Sequence, residues 1–381
     1  MPLKTHTRPL AKQSAIQVSR RDVLSHSMAA GVSFLLGSSF TQANEPLESS
    51  DLKSSANALR DSEKLLAILA KFVYEAKKQN RIKAVVVSLN GETILAESFR
   101  GPAVDRAVNI KSVSKSVVAT LLGVARQQSL VRSLDQTLGE LAPELLPKGV
   151  DERVANLTLE DLVTMRAGLE RTSGRAYGVW VNSSHWIHHV LSRPFVDEPG
   201  GRMLYSTGDT HVLGAVLSQL TGRTLYELAN DWLGKPLGIR FAPWTRDPQG
   251  YYLGGNEMSL SPLHLVKLGE LYIENGVIDG QKVLDANWVQ DAFTQRTSSV
   301  YSGDGYGYGW FLRKMAGVPA AYARGYGGQV LHVIPSMSLS VVITSDETQR
   351  ARSNGYMSVL HNLVATHLIA PLGSDQDKLL K

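Results

Sequence analysis

Cysteine is absent from all 381 residues. That excludes cysteine nucleophiles, thiolate zinc sites, iron–sulfur clusters and a lipid anchor on a leader cysteine, so the chemistry must run through oxygen and nitrogen. The fold must also be held by its core rather than by disulfides, even in an oxidising compartment. A long basic run is missing too. Of 40 lysines and arginines and 35 acidic residues, five and one fall within residues 1–43, which leaves 35 against 34 for everything after. So neutral a chain, without a basic stripe, is not built to bind nucleic acid. No apolar stretch reaches the roughly 20 residues of a membrane-spanning helix, and no repeat of solenoid length is visible. Glycine, at 33, and proline, at 15, are near ordinary usage, which removes collagen-like and low-complexity readings.

Two catalytic signatures are lacking as well. No G-x-S-x-G pentapeptide occurs, which argues against a Ser-His-Asp site on an α/β-hydrolase sheet. His185-Trp186-Ile187-His188-His189 has tryptophan where the H-E-x-x-H zinc motif has its glutamate. Trp180 and Trp186 nearby suit either the wall of an acyl pocket or the core.

What is present is a large folded chain, 43% hydrophobic and 20% charged, long enough for two or more lobes. Residues 1–43 have the three-part layout of an export signal: Lys4, Arg8, Lys12, Arg20 and Arg21, then the apolar residues 28–40, then Thr41-Gln42-Ala43 with small residues at a cleavage site. Ser19-Arg20-Arg21-Asp22-Val23-Leu24 resembles a twin-arginine signal, with Val23 and Ser25 departing from its usual phenylalanine and lysine. Cleavage after Ala43 and a periplasmic or extracytoplasmic mature protein, with no stable membrane span, are expected.

Residues 51–79 carry leucines, Ile68, Phe72 and Val73 at helical spacing. Ala84-Val85-Val86-Val87-Ser88-Leu89, then Asn90-Gly91, then Thr93-Ile94-Leu95-Ala96 reads as a β-hairpin, because Asn-Gly supplies the positive φ of a tight turn. Strand-rich segments return only at 308–311, 330–334 and 339–344, before a closing helix at 353–369, and the patterns between are mostly helical. The predicted fold is α+β: an antiparallel sheet built from both chain ends and flanked by helices, with an inserted mainly helical lobe. Residues 53–110 with 305–371 form the sheet lobe, 111–304 the helical lobe and 372–381 a flexible tail. A cleft between lobes is the expected place for a site.

Three segments carry chemistry. Ser112-Val113-Ser114-Lys115 opens a helical pattern whose Val113, Val117, Leu121 and Val124 share a face. Residues three apart on a helix are neighbours, so a hydroxyl and an amine meet there. A serine becomes nucleophilic when a base takes its proton, and a desolvated lysine is such a base. Ser50-Asp51-Leu52-Lys53 fits the same template, but it follows the leader rather than a hairpin. Tyr205-Ser206-Thr207-Gly208 comes next, where a tyrosine near ammonium groups trades protons with a serine or a leaving group, a buried core tyrosine being the plainer reading. Third is Arg324-Gly325-Tyr326-Gly327-Gly328-Gln329, whose glycines suit a turn or the close approach of a substrate to a strand edge.

In this order the three resemble the serine β-lactamase and penicillin-binding-protein superfamily, and within it the class C β-lactamase-related hydrolases, which include esterases and 6-aminohexanoate-dimer hydrolases. Supporting runs are Asn156-Leu157-Thr158, Thr164-Met165-Arg166-Ala167-Gly168-Leu169, Leu237-Gly238-Ile239, Asp247-Pro248-Gln249-Gly250, Gly254-Gly255, Ser259-Leu260-Ser261-Pro262 and Gly307-Tyr308-Gly309-Trp310, within residues 80–370. The resemblance implies Ser112 as acylated nucleophile, Lys115 as its base and Tyr205 as proton shuttle. It implies an oxyanion hole from the backbone N–H of Ser112 and one from the strand near Tyr326 and Gly327. The implied substrate is a small amide or ester, and no metal and no organic cofactor is implied.

Two departures bear on the substrate. True β-lactamases have asparagine two residues after the tyrosine, where this chain has Thr207, and lysine-threonine-glycine where it has Gly325-Tyr326-Gly327. A β-lactamase or D,D-carboxypeptidase is therefore the second expectation. A non-catalytic binding module on the same scaffold is the third.

Overall fold

The structure, a computed structural model, describes residues 49–351 and 355–379. The chain divides into two units, residues 1–59 and 60–381. Of the first, only the start of helix α1 (Ser49–Lys78) is described, and it contains Ser50 and Lys53. The expected export signal, residues 1–43, lies outside the described residues. Among the described residues no helix is long and apolar enough to cross a membrane.

After α1 come β1 (Ile82–Leu89) and β2 (Glu92–Ser98), joined by Asn90-Gly91 with φ of 52° and 78°, as a tight hairpin turn requires. Two short strands, β3 (Val108–Asn109) and β4 (Ser259–Leu260), pair with each other, and β5 (Val277–Ile278) pairs with β6 (Gln281–Lys282). The remaining strands are β7 (Thr297–Ser298), β8 (Gly305–Tyr306), β9 (Phe311–Met315), β10 (Val318–Gly325), β11 (Gln329–Ile334) and β12 (Leu339–Ser345). The large antiparallel sheet runs β2-β1-β12-β11-β10-β9-β8-β7, so the two ends of the chain meet where β1 pairs β12, Val86 opposite Val342. The α+β architecture expected from the sequence is the one observed.

Both faces of this sheet are covered, which explains why its strands read as unbroken apolar runs. Val86, Leu331, Val333 and Val342 point into one hydrophobic cluster with the helical segments, while their neighbours Val85, Val87, Val330, Val341 and Ile343 point into a second with α1 and helix α5 (Tyr356–Val364). Between the sheet strands lie α2 (Ser114–Gln127), α3 (Thr207–Thr221) and α4 (Pro262–Ile273). In α2 every residue from Ser114 to Ala125 is buried, and in α3 every residue from Thr207 to Leu217. Helices enclosed on all sides hold their first turns in fixed places.

Some elements differ from the sequence expectation. The strand expected at 308–311 begins only at Phe311, because Gly309 turns the chain with φ of 79°. Strand β10, poor in β-branched residues and containing Pro319, had no sequence signal. The tail expected from 372 runs on as helix through Leu379. Trp180 and Trp186 belong to the core, packed edge-on against His211.

Candidate active site

The segment preceding α2 is held in a conformation that most residues avoid. Lys111 has φ of 52°, and its N–H donates to Asn109 Oδ1 at 2.8 Å, while its Nζ meets Glu257 at 3.2 Å. Such strain persists only where surroundings enforce it. The next residue, Ser112, sits half-buried in a 3₁₀ turn (Lys111–Val113). Lys115 follows one turn later, on the first turn of α2, with its Nζ 3.1 Å from Ser112 Oγ.

Lys115 is 2% exposed. Its Nζ donates to the Gly255 carbonyl at 2.6 Å and lies 3.2 Å from Thr207 Oγ1. Burial pulls its pKa from 10.5 down to about 7, opposed by the charge of Asp209. An amine that is often neutral at pH 7 has a lone pair to offer. The Gly255 carbonyl can only accept, so it occupies one N–H and leaves the serine hydroxyl able to donate to nitrogen. The ring of Tyr205 lies under the same amine, its centroid 5.0 Å from Nζ. The three residues singled out in sequence thus meet in one place.

The first turn of α3 is capped from outside. Thr207 N–H donates to Ser173 Oγ at 2.8 Å and Gly208 N–H to Thr172 Oγ1 at 2.9 Å. Asp209 on that turn is 2% exposed, and burial raises its carboxyl pKa to about 7 against the lowering effects of a Ser206 hydrogen bond and of Lys115. Sequence reasoning missed Asp209. Its spacing from Ser206, S-x-x-D at a helix start, was the available signal.

Gly255 is delivered by the loop after Asp247. His211 of α3 accepts from Gly254 N–H through Nδ1 at 3.4 Å, so Nε2 carries the hydrogen and donates to Asp247 Oδ2 at 3.1 Å. A Cβ on Gly254 would lie 2.3 Å from the Thr210 carbonyl, so the loop reaches the helix only through glycine.

These groups open into a cavity of about 1000 Å³ lined by Ser112, Tyr205, Thr207, Gly325 and Tyr326 among others. Tyr326 is 49% exposed at the turn between β10 and β11. Gly327, expected beside it, packs against the end of β12: its φ is 85°, and a Cβ there would strike Glu347 Cα at 2.5 Å. Gly325 lines the cavity, pressed against the Ile110 carbonyl and Lys111 Cβ. His185 Nδ1 accepts from His188 N–H as a helix cap, and the two rings stack at 3.4 Å. Among the described residues no group of three or more histidines and carboxylates is placed to hold a metal ion.

Comparison with known proteins gives a consistent picture. The sequence profile described as Beta-lactamase matches residues 69–366. A 6-aminohexanoate-dimer hydrolase of Paenarthrobacter ureafaciens is 24% identical over 233 residues, 57% of this chain and 59% of that protein. Among solved structures, a Bacillus anthracis protein provisionally named 6-aminohexanoate-dimer hydrolase superposes with a TM-score of 0.66 at 19% identity, covering 78% of this chain and 82% of that one. EstCE1, a hydrolase with promiscuous acyltransferase activity, gives 0.65 at 19% identity over 80% of this chain and 99% of its own.

Proposed function

The chain belongs to the β-lactamase family, and we propose that within it the protein is a serine hydrolase cleaving a small amide or ester. The observation that carries this reading is the buried Lys115 amine, its pKa near 7, 3.1 Å from Ser112 Oγ. Lys115 takes the Ser112 proton as Oγ attacks the carbonyl carbon. The oxyanion that forms is held by the backbone N–H of Ser112 and of Tyr326. Tyr205, over whose ring the amine sits, passes a proton to the leaving amine or alcohol, and water then releases the acyl group by the reverse relay.

Amide or ester substrates rank above β-lactams because the chain has Gly325-Tyr326-Gly327 in place of a lysine-bearing motif, and Thr207 in place of asparagine. The relatives named above for 6-aminohexanoate-dimer hydrolysis and for acyl transfer support the same order. The leader supports action outside the cytoplasm, and sequencing the mature N-terminus should find Asn44 first.

The decisive experiment treats purified protein with a fluorophosphonate and with p-nitrophenyl acetate. Labelling and turnover should both vanish in Ser112→Ala. Wild type that neither labels nor turns over would return the scaffold to a binding role, and Ser112-dependent nitrocefin turnover exceeding ester turnover would favour the β-lactamase alternative.

A further inference from the structure

Beyond residue 43 the chain is close to electrically neutral, with 35 basic and 34 acidic residues. The cavity is not. Its lining holds Lys111, Arg171, Arg175, Arg324 and Arg350 against two carboxylates, Glu170 and Glu257. Both carboxylates are already engaged, Glu257 by Lys111 at 3.2 Å and Glu170 by Arg193. Among the described residues the four arginines have no carboxylate within ion-pairing distance. Arg171 bonds the neutral phenol of Tyr301, and Arg324 stacks 4.4 Å over the Phe311 ring.

Arg324 is only partly exposed, and its charge reaches the buried Tyr306 and Tyr322. A half-desolvated guanidinium without a counter-charge is costly to keep and well placed to repay that cost on an incoming anion. One carboxylate is satisfied by one guanidinium in a bidentate pair. Four exceed that need, and they come from two places: Arg171 and Arg175 follow Leu169, whereas Arg324 lies on β10 and Arg350 after β12.

We propose that the substrate carries at least two carboxylates, one recognised by Arg324 with Arg350 and the other by Arg171 with Arg175. This rests on the hydrolase reading for its chemistry but not for its binding. The cleft gathers dianions from solution by its field and holds them by paired N–H donors, with the exposed Tyr301, Tyr326 and Val196 at its lining accommodating an apolar spacer.

The test compares p-nitrophenyl butyrate, mono-p-nitrophenyl glutarate and mono-p-nitrophenyl tricarballylate, which carry no, one and two free carboxylates. kcat/KM should rise by about tenfold or more per carboxylate at low salt, and 0.5 M sodium chloride should compress the series, since salt screens exposed charge. Arg324→Gln and Arg171→Gln should each lower the tricarballylate-to-butyrate ratio by about tenfold, with Arg324→Lys intermediate and melting temperature checked throughout. Calorimetric titration of tricarballylate into Ser112→Ala protein gives a readout free of catalysis, and binding there should weaken with salt. Equal rates across the esters, or no tricarballylate binding, overturns the inference. If fluorophosphonate still labels Ser112, only the charge preference falls; if labelling fails while tricarballylate binds, only the hydrolase reading falls.

Discussion

Ser112, Ser114 and Ser116 stand within five residues, and only the first is free to react. Ser114 Oγ donates to the Lys111 carbonyl at 2.6 Å and accepts from Met258 N–H, while Ser116 Oγ donates to the Gly309 carbonyl at 2.6 Å; both side chains are fully enclosed. Ser112 faces the cavity and a basic amine. Because that amine must be neutral to act and its pKa is about 7, kcat/KM should rise with pH through the neutral range. Asp209 raises the lysine pKa, so Asp209→Asn should move this acidic limb to lower pH, and a pH–rate profile with an unmoved limb would show that the two do not communicate. Lys115→Ala and Tyr205→Phe should each reduce kcat by roughly a thousandfold or more, with the double variant little worse, because groups acting as one relay are not additive. Multiplicative losses would mean independent roles.

At the scale of elements, glycines set how closely segments approach. Gly325 at the end of β10 leaves no room for a Cβ, which would lie 2.5 Å from the Ile110 carbonyl and 2.8 Å from Lys111 Cβ. Gly325→Ala should therefore displace the strand from the Ser112 turn and lower kcat far more than it lowers melting temperature. Gly254→Ala should act through the other side, shifting the Gly255 carbonyl off Lys115 and weakening fluorophosphonate labelling of Ser112. The hairpin of β1 and β2 was legible in sequence because Asn90-Gly91 carries its own turn geometry. β10 was not: it is a strand by pairing, Ala321 opposite Val333 and Leu312, and pairing partners are not local information.

For the molecule as a whole, the second hydrophobic cluster encloses two histidines. His332 Nε2 and His361 Nδ1 are 2.9 Å apart, and burial depresses their pKa values to about 3 and about 2. Unfolded histidines take up protons below about pH 6.5 while these two refuse them, so the unfolded state binds more protons in that range. Stability should therefore be fully present above pH 6.5 and decline as pH falls toward 3. Melting temperature measured from pH 7 to pH 4 checks this, and His332→Phe should flatten the profile.

The sequence by itself determined the hairpin of β1 and β2, the absence of cysteine chemistry, and the pairing of Ser112 with Lys115, because each is written in residues a few positions apart or in composition. Only the tertiary structure decided that Asp209 and Gly255 lie against Lys115, that Gly325 rather than Gly327 borders the cavity, and that four arginines share it. Those facts depend on burial and on which distant segments come within a few ångströms, and a lysine has no reason to lose its proton until the fold has removed its water.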